Sequence, residues 1–480
     1  MAVADPDTYD VIVLGAGTTG ENLAARAARG GLSAAVVESD LAGGECSYWA
    51  CMPSKALLRP GQALAAASDV GGSREAVRGA LDVPAVLARR DSFTSHWDDS
   101  GQAAWLAGVP VTLVRGHGRL DGARRVAVAL PGGGTRFLSA RQAVAVCTGS
   151  EPSLPPVTGL AEVKPWTSRE GTSVGAPPGR MAILGGGAVG CELAMVYRSL
   201  GSGVALVELA DRLLATHEPF VSDLVAEALS GHGVDVRTGA RVTSAERDGP
   251  AGPVTLDLGD GQRLEADEVL VAAGRRPRTA DLGLETVGLE PGRWLGVDDS
   301  GRVQGVDGGW LYASGDVNGR ALLTHQGKYQ ARAAGAAIVA RARGELGDEV
   351  APWTRFASTA DHGAVPSVIF TDPEVAAVGL TEAEARGQGL PIRALEYDLA
   401  SVGGASLIAD GYRGRAKLVV DEDRGVLVGA TFVGRDVAEL LHSATVAVVG
   451  EVPLERLWHA VPSYPTISEV WLWLLEDYGL

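Results

Sequence analysis

The sequence predicts an α/β protein with two Rossmann-like dinucleotide-binding domains followed by a C-terminal α+β domain. Residues 9–38 and 181–208 each read as buried strand, glycine-rich turn, helix and second strand ending in Glu. Beyond residue 365, short apolar strands alternate with turns and helical stretches, giving a mixed module rather than a third fingerprint. A length of 480 residues accommodates about three domains at ~150 residues each.

Composition narrows the classes further. A net charge of −17 and a pI near 5.0 argue against nucleic acid and anionic membrane surfaces as partners, which select clustered Lys and Arg. The expected partners are a small molecule and a second copy of the chain. Residues 1–10 carry no basic region, and the apolar run 11–14 is too short for a signal core. Nothing approaches the ~20 apolar residues of a membrane span. The expectation is a soluble, cytoplasmic protein, with no metal centre. The 65 glycines interrupt periodic apolar segments without any short repeat, so they reflect turns and not low complexity.

In chain order, Tyr9 to Leu14 is the first strand, Gly15-Ala16-Gly17-Thr18-Thr19-Gly20 the turn, and Glu21 to Arg29 an Ala-rich helix. Gly15 permits the tight turn, Gly17 lets a pyrophosphate approach the backbone, and Gly20 lets helix and strand pack closely. The strand Ala34 to Val37 ends in Glu38, placed to accept hydrogen bonds from an adenosine ribose. The pattern recurs with strand Met181 to Leu184, turn Gly185 to Gly190 with Gly187 between them, helix Cys191 to Leu200, and strand Val204 to Val207 ending in Glu208. Two fingerprints imply two dinucleotides. Glu208 suits an unmodified ribose 2′-hydroxyl and repels a 2′-phosphate, and no Arg pair stands beside it, although Arg212 is near. NADH is therefore expected over NADPH.

Between the fingerprints, residues 43–55 hold two of the four cysteines. Four intervening residues put Cys46 and Cys51 about one helical turn apart, within reach of a disulfide after modest distortion. The pair is a candidate redox dithiol; two unrelated buried thiols or a static bridge are the alternatives. A thiol of pKa ~8.5 becomes reactive at a helix N-terminus or beside a cation. Gly43-Gly44 and Lys55 are placed to supply these.

The helix opened by Cys51 is expected to continue over Ala56 to Ala67, with a solvated break at 68–83 and one helical stretch from Val83 to Leu106 containing His96 and Trp97. A strand Val111 to Val114 leads to Gly116-His117-Gly118. A hairpin pairs Val126 to Leu130 with Thr135 to Leu138, and a separate strand Ala143 to Cys147 ends in Thr148-Gly149-Ser150. Cys147 reads as a core residue. Proline-rich loops at 152–156 and 176–179 bracket a boundary. After Val269 to Pro277, Trp310 to Ala313 forms a strand running into Ser314-Gly315-Asp316. A helix then spans Leu322 to Arg343, its N-terminus favouring negative charge. The last module is built on Val365 to Phe370, Ala416 to Val420 and Val426 to Val433.

The run Gly43-Gly44-Glu45-Cys46-Ser47-Tyr48-Trp49-Ala50-Cys51-Met52-Pro53-Ser54-Lys55 resembles the signature GGxCxxxxCxPSK of the class I pyridine nucleotide-disulfide oxidoreductases. The resemblance extends over almost the whole chain. It implies an FAD-dependent homodimeric enzyme divided into a first FAD segment at 1–165, an NAD(P)H-binding domain at 166–288, a second FAD segment at 289–355 and a dimerisation domain at 356–480. It assigns the flavin nucleotide to Gly15, Gly17, Gly20, Glu38, Gly44, Lys55, Gly118, Thr148, Gly149, Ser150 and Asp316. The pyridine nucleotide falls to Gly185, Gly187, Gly190 and Glu208, with Gly274 in a GRxP crossover. By the same resemblance Cys46 attacks the substrate, Cys51 exchanges electrons with the flavin, and Glu192 pairs with Lys55. Tyr464 and Glu469 reach the dithiol from the partner subunit.

Two departures bear on the acceptor. Tyr464-Pro465-Thr466-Ile467-Ser468-Glu469 stands where most of the family carry His-Pro-Thr-x-x-Glu, exchanging a general acid-base for a phenol of pKa ~10. Glu45 and Tyr48 replace the usual Thr and Asn of the cysteine motif. The expected acceptor is a disulfide, as for dihydrolipoamide dehydrogenase. Direct reduction of a quinone or other electrophile by the flavin is the alternative, and a flavin redox sensor is the least expected. Mercuric reduction ranks low because no Cys follows Cys191.

Overall fold

The computed structural model describes residues 7–250, 252–259 and 261–480; expectations drawn on residues 1–6 lie outside the described residues. The chain forms two compact units, each assembled from three separated segments. Among the described residues no helix is long and apolar enough to cross a membrane.

The first unit comprises Met1–Met52, Asp91–Pro152 and Arg275–Asp361. Its sheet is made of β1 (Thr8–Leu14), β2 (Ala34–Glu38), β3 (Val111–Arg115), β4 (His117–Leu120), β5 (Arg125–Ala129) and β6 (Thr135–Val146), in the order β3-β2-β1-β6-β5-β4. The short strand Leu311–Ala313 also pairs in parallel with β6. Alternation along β1 explains why these apolar runs form strands buried on both faces. Val11 and Val13 pack with Leu23 and Ala24 of helix α1 (Thr18–Arg29) and with Ile338 of the helix Thr324–Ala342. Ile12 and Leu14 face the other way, against Val144, Val146 and Leu311. The glycine turn after β1 is thereby held at the carboxyl edge of the parallel strands, where open α/β sheets bind ligands.

The second unit comprises Pro53–Arg90, Ser153–Gly274 and His362–Leu480. It holds a parallel sheet in the order Asp235–Arg237, Gly203–Val207, Arg180–Leu184, Glu268–Val271. A three-stranded antiparallel sheet and a five-stranded antiparallel sheet, Pro366–Ile369, Glu374–Gly379, Val426–Gly434, Arg415–Asp421 and Ile392–Asp398, complete it. Helix Ala188–Ser199 is buried along most of its length. Its Leu193 and Val196 share a core with Ile183 and with Ile369 and Val433 of the five-stranded sheet.

Two local expectations need correction. The helical stretch Val83 to Leu106 is two helices, Val83–Phe93 and Ser100–Gly108, because Ser95, His96 and Trp97 all adopt positive φ between them. The expected hairpin arm Thr135 to Leu138 and the strand Ala143 to Cys147 are one strand, β6. Its first part pairs antiparallel with β5, and the part from Ser139 onward pairs parallel with β1. As expected, a helix opens at Cys51, and Cys46 lies on a separate short one before it. Helix α2 (Gly44–Tyr48) ends where Trp49 turns to φ −139°, and α3 (Cys51–Ser68) begins afresh.

Candidate active site

In the first unit two glycine segments meet back to back. A Cβ on Gly20 would fall 1.9 Å from the Gly15 carbonyl oxygen, and one on Gly44 2.8 Å from Gly17 Cα. No side chain fits at either place, so α1 and the cysteine segment lie directly on the turn. On Gly17, by contrast, a Cβ would have its nearest atom 4.0 Å away, leaving the turn an open face. Glu38 is fixed beside it: Oε2 accepts from Ala16 N at 2.7 Å and Oε1 from Asp40 N at 2.8 Å. Ser314 Oγ, at the end of strand Leu311–Ala313, is buried without a partner. An open glycine face at a helix N-terminus, a carboxylate aimed by backbone amides and an orphaned hydroxyl fit a dinucleotide such as FAD.

The remaining residues assigned to this nucleotide form a polar chain. Ser150 Oγ donates to Asp316 Oδ2 at 2.6 Å and accepts from Arg275 Nε at 2.6 Å, while Thr148 Oγ1 donates to the Arg278 carbonyl at 2.9 Å. The Gly149 carbonyl accepts from Arg278 N at 3.1 Å. Arg275 also binds Glu45, and Arg278 reaches the other Glu45 oxygen at 3.2 Å. The acid that sequence placed beside the thiols is therefore neutralised by two guanidiniums. Gly118 lies against the side chains of Leu14 and Val37.

Cys46, in the first turn of α2, and Cys51, at the start of α3, are half-buried free thiols that hydrogen-bond each other. Thr324 Oγ1, the first residue of the long helix, lies 3.3 Å from Cys51 Sγ. The hydrogen bond with Cys51, burial and the neighbouring sulfur's charge push the Cys46 thiol far up, with Thr324 and Lys328 opposing them. Trp97 Nε1 donates to the Tyr48 carbonyl at 3.3 Å, and the Tyr48 and Trp49 rings lie 5.6 Å apart.

The second unit repeats the nucleotide geometry. A Cβ on Gly190 would sit 1.9 Å from the Gly185 carbonyl oxygen, and Gly187 has open space on its side. Glu208 accepts from Gly186 N at 2.5 Å and Ala210 N at 2.7 Å, as Glu38 does in the first unit. This second cradle fits a pyridine nucleotide on the same grounds. Arg212 is engaged by Ser222 Oγ at 2.8 Å and the Ala215 carbonyl at 2.6 Å. The Gly274 carbonyl accepts from Ser153 N at 3.0 Å. Lys55 Nζ donates to the buried Glu192 at 2.6 Å and lies 5.0 Å from the Phe370 ring centroid, while Phe370 N donates to the other Glu192 oxygen at 2.9 Å. Near the C-terminus, Tyr464 is 77% exposed. Its hydroxyl and Glu469 Oε2 lie 3.7 and 3.8 Å from where a Cβ on Gly403 would be, so both face one spot.

Thr324, Lys328, Arg275, Arg278 and Phe370 were not singled out from sequence. Thr324 reaches Cys51 across 273 residues, a separation for which a single sequence offers no signal. Arg275 and Arg278 flank the recognised Pro277, and an acid as unusual as Glu45 was the available hint of a basic partner.

The fold and these sites define a flavin- and pyridine-nucleotide-dependent oxidoreductase carrying a dithiol. The family model described as pyridine nucleotide-disulphide oxidoreductase matches residues 9–337, and the dimerisation domain of that family matches residues 365–475. The chain belongs to this family: it is an FAD-dependent enzyme using NAD(H), with a domain through which such proteins form homodimers. It is 33% identical over 472 residues to a dihydrolipoyl dehydrogenase of Thermus scotoductus, covering 96% of this chain and 95% of that one. It is 29% identical over 464 residues to a mercuric reductase of Staphylococcus aureus, covering 96% and 81%. Among solved structures, the HOCl-induced flavoprotein disulfide reductase RclA from Escherichia coli, as a Cu(II) complex, superposes with a TM-score of 0.83 at 24% identity, covering 98% of this chain and 99% of that one.

Proposed function

We propose that the enzyme oxidises NADH and reduces a small disulfide of the lipoamide class through Cys46 and Cys51, in a cytoplasmic homodimer whose subunits complete each other's sites. The observation that carries this reading is the hydrogen-bonded Cys46–Cys51 pair with Thr324 against Cys51. Gly15, Gly17, Gly20, Glu38, Gly44, Ser150 and Asp316 would hold FAD, which when bound would supply the means of converting a hydride from NADH into two electrons for sulfur. The balance is NADH, a proton and a disulfide giving NAD⁺ and two thiols.

In the reduced dithiol, Cys46 attacks one substrate sulfur, forming a mixed disulfide and freeing the other substrate sulfur as a thiolate that takes up a proton. Cys51 then attacks Cys46, releasing the second thiol and re-forming the Cys46–Cys51 bond. Attack requires the Cys46 thiolate, and the bond to Cys51 together with burial raises the pKa of that thiol, so the oxidative half-reaction gains rate as pH rises. Glu208 favours NADH, since a 2′-phosphate would meet its carboxylate while Arg212 is already engaged. Lys55, on the helix begun by Cys51 and paired with Glu192, is assigned the cation that favours the reduced, anionic cofactor. Exposed apolar side chains in the dimerisation region, Val446, Trp458 and Val461, support burial against a second copy. Tyr464 and Glu469 then act on the partner's dithiol, the phenol donating a proton to the leaving thiolate.

A second reading, direct transfer from flavin to a quinone, draws support from the Tyr48, Trp49 and Trp97 cluster. Steady-state assays of a Cys46→Ser/Cys51→Ser double variant separate the two. The proposed reading expects loss of NADH-dependent lipoamide reduction, and retained lipoamide reduction by the double variant sinks it. Quinone reduction by NADH exceeding lipoamide reduction in the wild type favours the second.

A further inference from the structure

We infer a second ligand site in the first unit: a polyphosphate-binding cleft at the end of α1 remote from the glycine turn. The last turn of α1 and the last turns of helix Thr324–Ala342 enclose a surface cleft of about 210 Å3. Helix α1 has 12 residues, which puts the cleft roughly 18 Å along the helix from the dinucleotide turn. Buried Ala336, Val339 and Ala340 form its floor.

Four arginines line it: Arg26 and Arg29 from α1, Arg343 and Arg355 from the segments after the long helix. Arg343 donates to the Gly30 carbonyl at 2.7 Å and lies 4.0 Å from Glu345, the one acid on the rim. Arg355 stacks over the Phe356 ring at 4.8 Å. Among the described residues, the guanidiniums of Arg26 and Arg29 make no hydrogen bond or ion pair, although arginines elsewhere in this chain, such as Arg115 with Asp99 and Arg180 with Asp267, face carboxylates. The stem of Arg26 is nonetheless seated, its Cβ and Cγ resting 2.9 Å from where a Cβ on Gly335 would be.

Capping accounts for part of this charge. The C-terminus of α1 carries about half a negative charge, which one neighbouring cation offsets, and Arg343 already serves Gly30. Four guanidiniums against one carboxylate still leave a surplus of three positive charges in a chain whose net charge is −17. Guanidinium forks match phosphoryl oxygens bidentately, and several converging on one cleft select an anion of more than one charge. The occupant is an anion bearing two or three linked phosphoryl groups, either free polyphosphate or the phosphate tail of a nucleotide.

Isothermal titration of the FAD-loaded, full-length enzyme with inorganic tripolyphosphate, and separately with ATP, tests the site. The expected result is saturable tripolyphosphate binding that weakens as salt rises. Arg26→Gln/Arg29→Gln, and independently Arg355→Gln, should each raise the Kd about tenfold or more, with flavin content and NADH oxidation unchanged. Equal affinity for ATP identifies the phosphate chain as the whole determinant; tighter ATP binding, lost in the same variants, identifies a nucleotide. Absence of saturable tripolyphosphate binding, or a Kd unmoved by both variants, overturns the inference.

Discussion

Replacing Glu192 separates the two bonds that its buried carboxylate makes. Glu192 is 5% exposed, with one oxygen 2.6 Å from Lys55 Nζ and the other 2.9 Å from Phe370 N. Glu192→Ala breaks both at once. Removing one partner of a fully buried ion pair costs ~3–5 kcal/mol. Lys55 keeps 35% of its side-chain surface in solvent, so rehydration reduces the ionic part to about 1–2 kcal/mol. The unpartnered Phe370 N–H adds about 1 kcal/mol. Glu192→Ala should therefore lose about 2–3 kcal/mol, and Glu192→Gln, which retains an acceptor for Phe370, about 1 kcal/mol less than that. Urea unfolding of the FAD-loaded protein, followed by circular dichroism, measures both. If both variants fall within about 0.5 kcal/mol of wild type, the pair does not hold the segments of the second unit together as described.

Three further outcomes follow from single side chains. Lys417 is buried among Glu218, Glu382 and Glu396 at 3.0, 2.7 and 3.1 Å, and Lys417→Met strands the buried Glu218, at about 3–5 kcal/mol by the same unfolding measurement. Burial opposes the Lys417 charge but the three carboxylates outweigh it and raise its pKa; its stabilisation is therefore complete below pH ~10.4 and disappears as pH rises through the folded value. Burial, reinforced by the charges of Glu38 and Asp99 and opposed by Lys328, pushes Glu21 up to about 8 from 4.5. Between those values the unfolded chain gives up a proton that the folded one keeps, so stability falls as pH rises. Glu21→Gln should accordingly gain little at pH ~5 and up to about 4 kcal/mol at pH ~8.5 in thermal or urea unfolding; a constant difference across that window contradicts the assignment. Thr324→Val removes the hydroxyl that opposes the rise in the Cys46 pKa, so alkylation of Cys46 in the reduced enzyme should move to higher pH; an unchanged pH profile denies Thr324 that influence.

Much of this was legible because the chemistry is local. Gly15 to Glu38 and Gly185 to Glu208 each put turn, helix and acid within one continuous stretch, and a steric requirement as sharp as Gly20 against the Gly15 carbonyl leaves glycine as the sole fit. Where several long-range forces meet, the reading failed. The apolar pattern from Val83 to Leu106 has helical spacing throughout, but the carboxylate of Asp99 binds Ala42 N and Arg115, at 2.7 and 2.6 Å, just past the break at Ser95 to Trp97. Strand β6 looked like two strands because its alternation changes where its neighbour changes from β5 to β1. Thr324 and Arg275 meet the cysteine segment only through the fold, and nothing in their neighbours' spacing marks them.

Whether electrons from NADH arrive on Cys46 and Cys51 is decided by counting thiols. Oxidised, FAD-loaded enzyme is titrated anaerobically with one equivalent of NADH per subunit, then alkylated and mapped by mass spectrometry. Cys46 and Cys51 should go from unlabelled to labelled together, while the buried Cys147 and Cys191 stay unlabelled. Flavin bleaching by NADH with no new label on either Cys46 or Cys51 would contradict it.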